Sequence, residues 1–386
     1  MKALVLEAQW DPKPDYVLSD LEKRTGKAIT GNSIWRHPKL QIKQIDIPKI
    51  GPDEVLIKVM ACGICGSDMH FCETDPDDYI LYPGLTKFPT VLGHEFSGEV
   101  VEVGGNVETV KVGNMVTVEE MCWCGHCTAC RNCFPNQCEN LEEIGFTING
   151  ALAEYIAVDG KYCWPIDSIV DRYNGDREKA FEVGATVEPH SVAYNSIFEC
   201  AGGFRPGAYS TVYGTGPIGL AAVALLKAAG AAKVIAFEIS ESRRVLAEAV
   251  GADAVYDPGK ITPHEVVMEI TGGAGAEVQV EAAGAPATTI PEMEKSMAVG
   301  GWISQIGRAA ERVPMYLEAF QLKKARIFGA QGHSGYGNFP YVIRLIASRA
   351  IDPYRIITAR YDLDHAVDAI VKSGSREDGK VMVRIG

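Results

Sequence analysis

The sequence predicts an α/β protein made of a β-rich, barrel-like domain and a doubly wound parallel sheet. Three observations carry this. Short apolar runs with period-two alternation, broken by Gly and Pro, fill the first 120 residues. Beyond residue 200, strand-like and helix-like runs alternate at the spacing of a parallel sheet with crossover helices. Where the texture changes, the strand-like run Tyr209–Tyr213 passes through Gly214-Thr215-Gly216-Pro217-Ile218-Gly219 into an alanine-rich helix.

Taken in order, Met1–Ala8 reads as a first strand. Residues 10–38 are polar and irregular, with Trp10, Pro12, Pro14, Trp35 and Pro38, and are expected to form a surface excursion that packs or makes an oligomer contact. Leu40–Ile45, Glu54–Val59, Glu99–Gly104 and Met115–Val118 are short strands. The helix opened by the glycine turn reaches Ala229, and Lys233–Phe237 is the next strand, ending at Glu238. Helices over Glu241–Val250, His264–Ile270 and Thr288–Met297 alternate with strands at Ala254–Tyr256, Glu277–Val280 and Trp302–Ile306, and Phe328 closes a last one. A helix over Phe339–Ser348 and a strand over Lys380–Ile385 end the chain.

The totals bound the function. A chain of 386 residues is long enough for two or three domains. Thirty-seven basic side chains against 50 acidic ones leave a net charge of −13, which argues against nucleic acid and anionic membranes as partners. The N-terminus is charged too soon for a signal peptide, and the longest apolar run, Ile218–Leu226, is too short to span a bilayer. A cytosolic location is expected. Six of the eleven cysteines (Cys122, Cys124, Cys127, Cys130, Cys133, Cys138) fall within 17 residues, and without a secretion signal such a cluster points to metal rather than disulfides.

Two stretches carry metal-ligand chemistry. Cys62-Gly63-Ile64-Cys65-Gly66-Ser67-Asp68-Met69-His70 supplies thiol, hydroxyl, carboxylate and imidazole, and Gly93-His94-Glu95 and Glu188-Pro189 add an imidazole and two carboxylates. A catalytic zinc takes three such ligands and keeps one position open. Cys65, His94 and a glutamate, Glu95 or Glu188, fit that need. Four thiolates at Cys124, Cys127, Cys130 and Cys138 close a tetrahedron, as in a structural zinc site. Cys122 and Cys133 are extra, and His126 is expected to face solvent.

The glycine turn is a dinucleotide signature because of its context. It follows a strand, opens a helix, and is trailed by Glu238 nineteen residues after Gly219. Gly214 permits the turn, Gly216 lets backbone approach a pyrophosphate, Gly219 lets helix pack on strand, and Pro217 and Ile218 begin the helix whose N-terminus faces phosphate. Glu238 would bond the ribose hydroxyls and repel a 2′-phosphate, which favours NAD over NADP. Arg243 and Arg244 stand close enough to blur that preference.

Together, Gly-Ile-Cys-Gly-Ser-Asp, Gly-His-Glu, the four-cysteine lobe and Gly-Thr-Gly-Pro-Ile-Gly resemble the zinc-dependent medium-chain dehydrogenase/reductase family, which includes alcohol, sorbitol and threonine dehydrogenases. The likeness spans the chain apart from the excursion at 10–38 and a longer loop at 72–90. It implies a GroES-like catalytic domain over 1–190 and 332–386, with a metal lobe at 122–138, and a Rossmann NAD-binding domain over 191–331. It implies two zinc ions per subunit and a homodimer or homotetramer. Carried over by position, Cys65 and His94 match zinc ligands, Glu95 a carboxylate that ligates or stands just behind, and Glu188 the third-ligand place. Asp68 steadies the site, and Lys380 matches a basic residue near the pyrophosphate.

The chemistry expected is oxidation of a secondary alcohol of a polyol or cyclitol to a ketone. Ser67 would pass the proton on and His70 would deliver it to solvent. Glu120, four residues before Cys124, is a carboxylate that substrate hydroxyls could satisfy, and Gln331 and His333 are further substrate candidates. The long N-terminal excursion ending near Trp35-Arg36 and the loops Tyr79–Leu85 and Gln331–Gly335 resemble the branch acting on scyllo-inosose or a related inositol derivative. Two alternatives stand beside this reading. One is a dehydrogenase of another polyol, sugar or amino-cyclitol; the other is a non-catalytic or redox-sensing zinc protein.

Overall fold

The structure is a computed structural model that describes residues 1–309 and 312–386. The chain divides into two compact units, residues 1–188 with 359–375 and 381–386, and residues 189–358 with 376–380.

The first unit is built on a seven-stranded sheet. Its path runs Cys163–Pro165, Met115–Val118, Glu95–Val103, Glu54–Gly63, Lys380–Arg384, Ile357–Asp362, and Tyr155–Asp159 pairs off that path with Glu54–Gly63. In the central antiparallel pair Gly63 lies opposite Glu95. That register places the residues just after one strand beside those just before the other, so Cys65 and His94 meet although 29 positions separate them. Gly98 allows the pair to close: a Cβ there would sit 2.3 Å from the Lys58 carbonyl oxygen. Leu4, Ile57, Val59, Ile64, Phe71, Leu92 and Phe96 fill the core beneath.

A three-stranded sheet, Trp35–Gln44, Lys2–Trp10 and Thr90–Val91, covers the same core. The excursion is therefore shorter and more ordered than the sequence suggests. Trp35–Pro38 already belong to a strand, with Trp10 opposite Trp35 and a bulge between Glu7 and Gln9. Pro38 and the positive φ of His37 (52°) hide that strand from a pattern reading. Between the strands, Asp20–Thr25 is a helix capped by Ser19, whose hydroxyl accepts from the Glu22 N–H while Glu22 accepts from the Ser19 N–H.

The second unit holds a six-stranded parallel sheet, ordered Ala254–Tyr256, Lys233–Phe237, Tyr209–Tyr213, Ala276–Glu281, Met297–Gln305, Arg326–Gly329. Helices Pro217–Ala228, Glu241–Ala249, Pro263–Ile270 and Pro286–Lys295 connect it. This is the doubly wound order expected. Residues 332–358, expected with the first domain, cluster with this unit instead. Their helix Asn338–Ala347 stacks Tyr341 on Tyr194 with centroids 5.9 Å apart, and Asn195 Nδ2 donates to the Gly332 carbonyl at 3.0 Å. Among the described residues, no helix is long and apolar enough to cross a membrane.

Candidate active site and dinucleotide turn

The donor group forms where the helix Gly66–His70 leaves the central sheet. Cys65 is its N-cap, and Asp68, buried, accepts the Cys65 N–H at 2.9 Å. Asp68 thus fixes the backbone that carries the sulfur. One ligand atom each from Cys65, His94 and Glu95 lies within 4.8 Å of the others. Ligands of a tetrahedral zinc, bonded at about 2.0–2.3 Å, stand about 3.3–3.8 Å apart, so small adjustments close this set on one ion. His94 is buried, and its Nδ1 has no hydrogen-bond partner among the described residues. Burial alone would lower the imidazole's pKa. The Cys65 sulfur, by charge and hydrogen bond, and then Asp68 and Glu188 reverse this and hold it well above the usual histidine value. So much negative charge around a buried imidazole suits a cation, and these residues fit a zinc.

Of the two carboxylates expected as third ligand, Glu95 closes the group. Glu188, buried at the start of the helix Val187–Tyr194, acts on His94 electrostatically, and one of its oxygens lies within 4.8 Å of one from buried Glu120. Ser67 Oγ is buried with no hydrogen-bond partner among the described residues. His70 pairs its Nδ1 with Glu73 Oε2 at 2.9 Å and is half exposed. Ser67 and His70 share the one-turn helix but are not joined by a hydrogen bond that would make a ready relay.

The cysteine lobe places the four sulfurs of Cys124, Cys127, Cys130 and Cys138 within 4.8 Å of one another, with Cys122 and Cys133 outside that group. A short helix, Thr128–Arg131, and backbone N–H groups aim them: Cys127 N–H at Cys124 Sγ (3.4 Å), Cys130 N–H at Cys127 Sγ (3.5 Å) and Cys124 N–H at Cys138 Sγ (3.3 Å). Backbone hydrogen bonds draw Cys124 and Cys127 down in pKa, while burial pushes Cys130 and Cys138 up. Four sulfurs this close do not all ionise without a cation between them. His126 is exposed, its Nδ1 3.0 Å from the Cys124 carbonyl.

In the second unit the glycine turn has the expected anatomy. Gly214 takes φ +82°, and a Cβ would meet Ala283 Cα at 2.5 Å; at Gly219 it would lie 1.9 Å from the Gly214 carbonyl oxygen. Gly216, the N-cap of the helix Pro217–Ala228, is open, the nearest atom to its Cβ position being Arg243 Nη1 at 3.7 Å. A helix N-terminus with a guanidinium above an open glycine is suited to a phosphate. Arg243 Nε donates to the Asp378 carbonyl at 2.9 Å. Glu238 Oε2 accepts the Thr215 N–H at 2.7 Å and Oε1 accepts the Ser240 N–H at 2.9 Å. Arg244 turns away, donating to the carbonyls of Glu238 and Ile239. Lys380 is buried. Gln331 and His333 lie past the last parallel strand, His333 fully buried with its ring 5.2 Å from Phe339. Pattern reading missed Phe146, whose ring lies 4.8 Å from that of His94; nothing local in its sequence marks it.

Family models match both halves of the chain. Residues 51–168 match the alcohol dehydrogenase GroES-like domain, and residues 217–348 match the zinc-binding dehydrogenase family. Scyllo-inosose 3-dehydrogenase of Thermotoga maritima is 45% identical over 381 residues, 96% of each chain. L-threonine 3-dehydrogenase of Thermococcus kodakarensis is 35% identical over 89% of this chain and 93% of its own. A solved Thermotoga maritima structure superposes with a TM-score of 0.95 at 44% identity, covering 99% of both chains. A Sinorhizobium meliloti structure bound to NADP has a TM-score of 0.78 at 30% identity, covering 93% of this chain and 98% of that one.

Proposed function

The chain belongs to the zinc-binding dehydrogenases with an alcohol dehydrogenase GroES-like domain, and on that premise we propose that it oxidises a secondary alcohol of a cyclitol to a ketone with NAD, scyllo-inosose or a related inositol derivative being the substrate. The observation that carries this is the Cys65, His94 and Glu95 donor group, an open metal site rather than a closed one. The 45% identity to an enzyme named for scyllo-inosose supports the substrate. When bound, zinc supplies stabilisation of negative charge on the substrate oxygen, and NAD supplies the hydride acceptor.

This chain's own residues do the rest. Cys65, His94 and Glu95 would hold the catalytic metal, with Glu188 close by, and Asp68 fixes the Cys65 backbone. Cys124, Cys127, Cys130 and Cys138 hold a second, structural zinc. Ser67 Oγ, buried and without a hydrogen-bond partner among the described residues, is the hydroxyl placed to take the alcohol proton while releasing its own, and His70, half exposed beside Glu73, is the group that returns it to solvent once a bridging hydroxyl or water joins the two. Glu120 and Glu188 make a polar, acidic wall that favours a polyhydroxylated substrate over an apolar alcohol. Gln331 and His333 are further substrate-binding residues. Gly214, Gly216, Pro217, Ile218, Gly219 and Arg243 receive the pyrophosphate, Glu238 receives the ribose, and Lys380 supports the cofactor.

We place the protein in the cytosol as a homodimer or homotetramer. Leu317 and Leu322, exposed on the helix Leu317–Lys323, and Ile327, exposed on the edge strand Arg326–Gly329, offer apolar surface for assembly. A second reading, threonine or another amino alcohol as substrate, is favoured by the 35% identity to a threonine dehydrogenase. The experiment is to follow NADH formation by zinc-loaded protein with cyclitols and with threonine, before and after chelation. Chelator-sensitive cyclitol oxidation supports the proposal. Turnover of threonine alone replaces the substrate, and turnover untouched by complete zinc removal rejects the mechanism.

A further inference from the structure

Residues 10–38 match no part of the chemistry above, yet a chain of ring contacts leads from them to His94. Trp10 meets Trp35 edge-on at 5.1 Å, Trp35 meets Phe88 at 5.0 Å, and Phe88 meets Phe71 at 5.8 Å. Phe71 meets Phe146 at 5.2 Å, and Phe146 lies against the His94 imidazole at 4.8 Å. Trp35, Phe71, Phe88, Phe146 and His94 are all buried. Edge-to-face pairs at these separations have a preferred geometry, so each ring restricts the next.

The backbone follows the same route. Ala28 and Thr86 exchange N–H and carbonyl bonds at 2.8 and 2.9 Å, and Ile80 N–H donates to the Trp35 carbonyl at 3.1 Å. Leu81 and Tyr82 both donate to the His70 carbonyl at 3.0 Å, clamping the end of the helix that begins at Cys65. Lys87 N–H donates to the Phe146 carbonyl at 2.8 Å, which fixes the residue facing His94. Gly31 shows how tightly the excursion is seated: a Cβ there would lie 2.8 Å from the Tyr82 carbonyl and from Thr86 Oγ1. Lys13 pairs with Asp75 at 2.9 Å, and Lys27 pairs with Glu142.

We propose that residues 10–38 are a buttress that orients the metal-binding imidazole of His94, with Trp35, Phe88 and Phe146 as positioning residues that touch neither substrate nor cofactor. The inference rests on the reading of His94 as a metal ligand. A ligating histidine is ordinarily steered by a hydrogen bond from its second nitrogen. Here the described residues give Nδ1 no such bond, and the Phe146 ring, tilted 47° against the imidazole, restricts it. Packing from outside the site then does the steering.

The test uses the full chain with cobalt at the Cys65 site and zinc left in the cysteine lobe. Three variants, Trp35→Leu, Phe88→Leu and Phe146→Leu, are compared with Val158→Ala, which perturbs the same core outside the ring chain. Each keeps its fold by circular dichroism before it is read. The expected result is a shifted cobalt absorption spectrum and loss of metal to a chelator faster by roughly ten- to hundredfold, the size of a lost outer-sphere orienting contact. Phe146→Leu should show the largest effect, Trp35→Phe should restore wild-type behaviour, and Val158→Ala should leave both readouts unchanged. If Trp35→Leu does not fold, Trp10→Leu, at the outer end of the ring chain, decides. Folded variants with wild-type spectra and release rates overturn the buttress alone. A wild-type protein that takes no cobalt at Cys65 overturns the functional reading and this inference with it.

Discussion

The backbone N–H of Thr215 donates to Glu238 Oε2 at 2.7 Å, so the carboxylate ending one strand holds the glycine turn that ends its parallel neighbour. Glu238 braces the turn, and under the proposed function it also receives the ribose. Glu238→Gln keeps the side chain's size, removes the charge and replaces one of the two N–H acceptors by an amide NH2. We expect the ratio of kcat/KM for NADP to that for NAD to rise roughly ten- to hundredfold, the worth of one hydrogen bond to a charged group. Initial rates with both cofactors check this; an unchanged ratio assigns Glu238 to the turn alone.

Gly219 has no room for a side chain, since its Cβ would stand 1.9 Å from the Gly214 carbonyl oxygen. Gly219→Ala should separate helix from strand, costing about 1–3 kcal/mol as overpacking does, and should weaken NADH binding. Fluorescence titration of NADH and thermal unfolding read the two effects. Gly216→Ala, where the space is open, should leave unfolding almost unchanged and reduce only cofactor affinity.

The two metal groups should separate cleanly by mutation. Cys65→Ala is expected to remove one zinc of two, keep NADH binding, and lower kcat/KM by at least about a hundredfold, or about 2.7 kcal/mol. Cys127→Ser should remove the other zinc and lower the unfolding temperature, because metal binding at a four-thiolate site is folding free energy. Metal analysis of both purified variants, paired with calorimetry, distinguishes the roles; identical profiles would contradict them.

Glu22 links the excursion to pH. Burial alone would raise its carboxyl, but hydrogen bonds from the Ser19 and Ile29 N–H groups, the Ser19 hydroxyl and the Tyr16 hydroxyl hold it below the ordinary carboxylate value. A carboxylate depressed on folding contributes stability above its unfolded pKa, about 4.3, and loses it as pH falls through the folded value. Glu22→Gln should therefore lower the unfolding temperature most above about pH 5, and the gap to wild type should shrink as acid is added. A gap that widens in acid contradicts the assignment.

What the sequence made legible was local. The turn from Gly214 to Gly219 and the lobe from Cys124 to Cys138 each complete their pattern within a few residues of one another, so spacing alone describes the geometry. Cys65 and His94 were readable as ligand types, but their meeting depends on the register of Gly63 opposite Glu95, which only strand pairing sets. Spacing likewise could not choose between Glu95 and Glu188. The strand from Trp35 was masked by Pro38 and His37, whose backbone breaks the alternation. The rings at positions 10, 35, 71, 88 and 146 share no period, because they belong to different strands, helices and loops that tertiary packing brings together.

A zinc- and NAD-dependent oxidation of a cyclitol is distinguishable from its alternatives by a single substrate comparison. Zinc-loaded protein is given scyllo-inosose, sorbitol, threonine and a simple secondary alcohol, and NADH formation is measured for each. The expected kcat/KM for the inosose exceeds that of every other substrate by at least about a hundredfold, or about 2.7 kcal/mol of transition-state discrimination. A preference for sorbitol, threonine or the simple alcohol would contradict the substrate, and no NADH from any of them, with zinc and NAD bound, would contradict the activity itself.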